Sequence, residues 1–129
     1  MHKRFLSVGA LLGALAVVLG AFGAHALKKM VPPDSVNTFQ TGVQYQMYHS
    51  LALLLVAIIF ERFPNKFIKL AGNFFITGII LFSGSLYILT LLKAAETVGL
   101  NGVGIVTPFG GLFFIAGWLL LFAGVIKKN

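Results

Sequence analysis

The side chains in this 129-residue sequence that could do chemistry gather in one place. The run from Thr41 to Phe60, TGVQYQMYHSLALLLVAIIF, begins with Gln44, Tyr45, Gln46, Tyr48 and His49 and continues as ten unbroken apolar residues. An imidazole in such a setting can exchange hydrogen bonds with a tyrosine or serine, relay a proton, or bind a metal or haem iron through a ring nitrogen. Ser83, Ser85 and Tyr87 in a later apolar stretch, and His25 at the end of an earlier one, could join it. Other chemistry is poorly supplied. The only acids, Asp34, Glu61 and Glu96, fall in loops or at span ends, so no intramembrane carboxylate is at hand to couple protons. No buried acid could orient His49 as a base for Ser83 or Ser85, and no H-E-x-x-H spacing occurs.

The elements that must position these groups are membrane spans. At 58% hydrophobic, 10% charged and a mean hydropathy of +0.95, the composition is that of an integral membrane protein in one domain, residues 1–129. The formal charge of +7 would by itself suit nucleic acid as a partner, but the ten Lys and Arg sit in small groups between apolar runs instead of forming a basic face, which excludes that class. They suit anionic headgroups of a lipid bilayer. There is no cysteine, hence no disulfide or thiol chemistry. MHKR followed by an apolar run and Ala24-His25-Ala26 resembles a secretory signal. However, Phe5 to Ala26 is 22 residues without a charge, long enough to span, and is expected to be retained.

Four spans are expected, at about 5–26, 41–60, 70–92 and 106–126, giving an all-α, four-helix membrane bundle of up-down-up-down order. Lys3, Arg4, Arg62, Lys66, Lys69, Lys127 and Lys128 collect on one side against Lys28, Lys29 and Lys93 on the other, so both termini are expected in the cytoplasm. Pro32 and Pro33 stop the chain after the first span, with Asp34, Ser35 or Asn37 available to cap the second, which should begin near Ser35 to Thr38. ERFPNK reads as a tight turn. Lys93 to Ile105, Gly-rich at Gly99, Gly102 and Gly104, reads as a loop ending at Thr107 as N-cap and Pro108 as first helical residue. Small residues at Gly9, Gly13, Ala16, Gly20 and Ala24, and at Gly110, Gly117 and Gly124, mark close helix packing, mainly within the chain.

On a helical wheel Thr41, Gln44, Tyr45, Tyr48 and His49 fall within an arc of roughly 140°, read as a face pointing into the bundle, with Gln46 and Ser50 off it. Asn73, Thr77, Gly84 and Tyr87 share a face of the third span, flanked by Ser83. His49, eleven residues from Phe60, lies roughly 16 Å from that boundary, near mid-membrane. The expected result is a polar cluster in the outer half of the bundle, made of His25, Gln44, Tyr45, Tyr48, His49, Ser83 and Tyr87. It is a candidate binding site for a small molecule, lipid or partner helix, and equally a hydrogen-bonded register lock.

GAFGAHAL (Gly20 to Leu27), YQMYH (Tyr45 to His49), FSGSLY (Phe82 to Tyr87) and TPFGG (Thr107 to Gly111) together resemble the small bacterial membrane family called domain of unknown function 423, whose animal relative is transmembrane protein 256. The resemblance covers nearly the whole chain. It implies a multi-pass plasma-membrane protein and supplies no activity. All four stretches lie at or near the polar cluster. The residues favour a non-enzymatic protein that binds a small molecule, lipid or partner membrane protein, or another copy of itself. The alternatives are a haem or quinone anchor, which His25 and His49 serve badly because they lie at different depths, and a small transporter relaying protons through His49. No particular cofactor or ligand follows from the sequence.

Overall fold

The computed structural model describes residues 2–95 and 101–127, with the side chain of Asn101 left out; Glu96, Gly99 and Lys128 of the sequence reading lie outside the described residues. Among the described residues all the regular structure is helical, and four helical stretches are long and apolar enough to cross a membrane. The first is α1, Lys3–Ala24. Its start is held by His2, whose Nδ1 accepts from the Phe5 amide at 3.4 Å while its own amide donates to the Ala57 carbonyl at 3.0 Å. It ends two residues before Ala26, and a 3₁₀ turn at Leu27–Lys29 follows, plugged by the fully buried Leu27.

The second span, α2, runs Pro33–Arg62, about 45 Å of helix. Its cap differs from expectation. Pro32 is the N-cap and Pro33 the first helical residue, so Asp34, Ser35 and Asn37 all lie inside the helix. Proline fits that position because its φ is preset and the amide it lacks would have been unpaired anyway. A short turn then leads to Asn65, whose Oδ1 accepts from the Phe67 and Ile68 amides at 3.0 and 3.2 Å and whose Nδ2 donates to the Gly124 carbonyl at 2.9 Å.

The third span is one rod in three parts: α3, Lys66–Gly78; a π-helical turn, Ile79–Ser83; and α4, Gly84–Ala94. The Gly84 amide reaches back five residues to the Ile79 carbonyl, which inserts one residue into the helical phase. Gly72, Phe75, Ile79, Ser83, Leu86 and Thr90 are buried along the length of the rod.

The fourth span, α5, runs Asn101–Ile126, with Pro108 in its interior. This corrects the expectation of a glycine-rich loop to Ile105 and a helix start at Thr107. The missing Pro108 amide costs one backbone bond, to Gly104, a single loss close to the helix start. Thr107 spends its hydroxyl on Ser85 instead of on a cap.

Sequential spans pack as antiparallel neighbours. α1 lies along α2, the rod packs on both α2 and α5, and α1 and α5 share no extended contact. The expected small-residue stripes are the seams within the chain. Gly110, Gly117 and Gly124 of α5 meet Phe82, Phe75 and Ile68 of the rod, whereas Gly9 and Gly20 of α1 meet Leu54 and Val43 of α2. Ala24 is exposed, and Gly23 replaces it in the seam. The core is split. One apolar cluster, around Phe5, Leu53, Val56, Ile68, Phe75 and Phe114, fills the half nearer Arg62; a second, around Ala16, Leu27, Val36, Phe39 and Val43, fills the other. Polar groups occupy the space between them.

The tightest seam gives a paired test. A Cβ on Gly110 would stand 2.7 Å from the Phe82 Cα, and main chain cannot swing aside, whereas one on Gly104 would meet nothing within 4 Å. Gly110→Ala should lower unfolding stability in detergent by about 1–3 kcal/mol, while Gly104→Ala should be neutral or raise it by up to about 1 kcal/mol. Equal effects would contradict the packing described.

Candidate functional site

The polar layer is built around Gln46, which the wheel reading had placed off the inner face. Its side chain is 3% exposed and joins three spans. Nε2 donates to the Leu12 carbonyl of α1 at 2.8 Å, and Oε1 accepts from the Tyr87 hydroxyl of α4 at 2.6 Å. Ser50, also buried, donates to the Gln46 carbonyl at 2.6 Å. Ser83, fully buried, donates across to the Gly42 carbonyl at 2.7 Å, and the Ser85 and Thr107 hydroxyls meet at 2.5 Å, which brings in α5. Ser83, the last residue of the π turn, faces α2, whereas a Cβ on the next residue, Gly84, would touch nothing.

His49 sits beside this layer at 4% exposure. Its ring stacks on Phe114 at 3.6 Å between centroids, Nδ1 lies 2.7 Å from the Tyr45 carbonyl, and Nε2 lies 3.1 Å from the Trp118 indole nitrogen. An indole N–H can only donate. Nε2 is therefore the acceptor and Nδ1 carries the proton given to Tyr45, so both ring nitrogens are spent inside the protein. Among the described residues, no buried side-chain nitrogen or oxygen lacks a partner, and no group of three His, Asp or Glu could hold a metal ion.

The expected seven-residue cluster is therefore divided. His49, Ser83 and Tyr87 do converge in the interior. His25 does not join them: it is exposed at the end of α1 with Nδ1 2.9 Å from the Ala21 carbonyl of its own helix. At that level it is Gln40 that crosses between helices, donating to the Gly20 carbonyl at 3.1 Å. Gln44, Tyr45 and Tyr48 turn outwards. Gln44 is exposed, Tyr48 is 55% exposed, and Tyr45 is 39% exposed with its ring against Phe82 at 4.7 Å and Tyr48 at 5.8 Å. Their amide and hydroxyls have no hydrogen-bond partner among the described residues. Thr77 donates only to the Asn73 main-chain carbonyl at 3.0 Å, within α3. The inward face of α2 is thus opposite the one expected. One sequence signal did mark it: Gly42, Ser50 and Ala57, the small residues, lie within about 40° of Gln46 on the wheel.

A family model described as a protein of unknown function, DUF423, matches residues 19–111. The UPF0382 membrane protein YwdK of Bacillus subtilis is 40% identical over 97% of this chain and 98% of its own length. A UPF0382 membrane protein of Haemophilus influenzae is 39% identical over 100% of this chain and 98% of its own, and the UPF0382 inner membrane protein YgdD of Escherichia coli K12 is 39% identical over 98% and 93%. No solved structure matches the chain.

Two measurements check the interior arrangement. Gln46→Leu strands the Tyr87 hydroxyl and should cost about 1–3 kcal/mol of unfolding stability, while Gln44→Leu should leave the monomer's stability unchanged; the reverse order would refute the inverted face. In ¹⁵N NMR of the imidazoles, His49 should show a protonated Nδ1 and an unprotonated Nε2, and Trp118→Phe should shift the Nε2 resonance as it loses its donor while Nδ1 stays protonated against the Tyr45 carbonyl.

Proposed function

The chain belongs to the DUF423 family of membrane proteins, and from that premise we propose that it is non-enzymatic and works by holding another membrane protein in the plane of the bilayer. The contact surface is the lipid-facing side of α2, carrying Gln44, Tyr45 and Tyr48. One observation carries this reading: polar groups inside the fold are satisfied, while these three, on the outside of the same helix, are not. A polar group facing hydrocarbon without a partner is costly, so a protein that keeps them there gains by covering them. A partner helix offering its own polar groups at that depth does so.

The competing readings have less behind them. A haem or metal ligand needs a free ring nitrogen, and His49 has given one to Tyr45 and the other to Trp118. A proton relay through His49 meets the same obstacle. A hydrolytic reading would need a free serine, whereas Ser83 and Ser85 are engaged with Gly42 and with Phe82 and Thr107.

Photo-crosslinking in the native membrane tests the proposal. A benzophenone amino acid in place of Tyr48 should capture a protein of discrete mass, while the same probe at Leu119, a lipid-facing site on α5 of similar exposure, should not. Adducts with lipid alone at both sites would overturn it.

A further inference from the structure

We infer that the partner is a second copy of this chain, docked through the same face of α2 about a two-fold axis along the membrane normal. The inference rests on the docking surface proposed above and names its occupant. Thr41, Gln44, Tyr48, Leu51, Leu55 and Ile58 step alternately by three and four, the spacing of a seam along which two helices interlock. Tyr48, Leu51, Leu55 and Ile58 are 55%, 56%, 51% and 55% exposed, an even strip along the length of the span. The lipid-facing residues of α1, such as Leu11, Val17 and Val18, and of α5, such as Leu112, Ile115 and Leu119, are apolar by contrast.

The order of side chains along the strip identifies the partner. Its half nearer Pro33 is polar and its half nearer Arg62 is apolar. Two copies inserted in the same direction lie parallel, and a two-fold axis sets each residue opposite its own counterpart. Gln44 then faces Gln44, and an amide is both donor and acceptor, so the pair is complementary to itself. The Tyr48 hydroxyl has the same double capacity, and Leu51, Leu55 and Ile58 meet their equals. Antiparallel docking would instead set Gln44 against the apolar half. The strip thus matches itself level by level, and polar pairs across helices in lipid favour association while small changes in them shift it.

The chain contains no cysteine, so single cysteines can map the contact. Leu51→Cys, Leu55→Cys and Ile58→Cys, each oxidised in isolated membranes with copper phenanthroline, should form disulfide-linked dimers of twice the chain mass. Val17→Cys on α1 and Leu119→Cys on α5, at least as exposed, should not. Adding Gln44→Leu to the Leu55→Cys protein should lower the dimer yield several-fold. Absence of dimers along the strip, or equal yields from all five positions, would overturn the inference. If the Tyr48 photoprobe then captured a different protein, the docking surface would stand and self-association alone would fail. Loss of both signals would remove both readings.

Discussion

A polar side chain inside a bilayer must find its hydrogen bonds within protein, because no water is there to supply them. That constraint organises this molecule. Gln46 reaches α1 through the Leu12 carbonyl and α4 through Tyr87, Ser83 returns to the Gly42 carbonyl of α2, Ser85 reaches Thr107 of α5, and His49 receives the Trp118 indole. Every span contributes to the layer. Because an apolar cluster lies on each side of it, sliding any helix along its axis would break hydrogen bonds before it improved packing. Greasy surfaces alone would tolerate several registers; this belt admits one.

The spans themselves are legible in the sequence because hydrophobic length is an unambiguous quantity. All four helices appear where the apolar runs lie, and the glycine stripes of α1 and α5 are the contacts that small residues predict. Errors fall at the ends and in the phases. Pro108 reads as a helix start because proline favours that position, yet the apolar residues before it carry the helix back to Asn101. A cap offered by Asp34 or Ser35 is pre-empted by Pro33.

The site was half legible, and the reason is specific. On α2 the polar side chains occur on opposite faces of the same turns, and the apolar half that follows has residues all round, so hydropathy gives no contrast from which to tell inside from outside. Gln44, Tyr48 and Gln46 are equally polar as letters. What separates them is where the neighbouring helices come close, and this is recorded by Gly42, Ser50 and Ala57 rather than by polarity. The rod adds a second difficulty, since a wheel anchored on the polar letters Asn73 and Thr77 promotes Gly84, whereas Phe75, Ile79 and Ser83 are the buried positions. The resemblance stretches make better sense in this light. GAFGAHAL, YQMYH, FSGSLY and TPFGG are the places where one helix touches the next, through Gly20 and Gly23, Gln46 and His49, Ser83 and Tyr87, and Thr107 and Gly110.

The π turn also decides how one helix can serve two masters. Through Ile68, Phe75 and Phe82 the rod meshes with the seven-residue glycine spacing of α5; from Ser83 on, its hydroxyls also reach Gly42 and Gln46 of α2. On a straight helix these two sets of teeth would be out of step by a fraction of a turn. The inserted residue works as a vernier between them, letting each interface keep its own pitch without bending either neighbour.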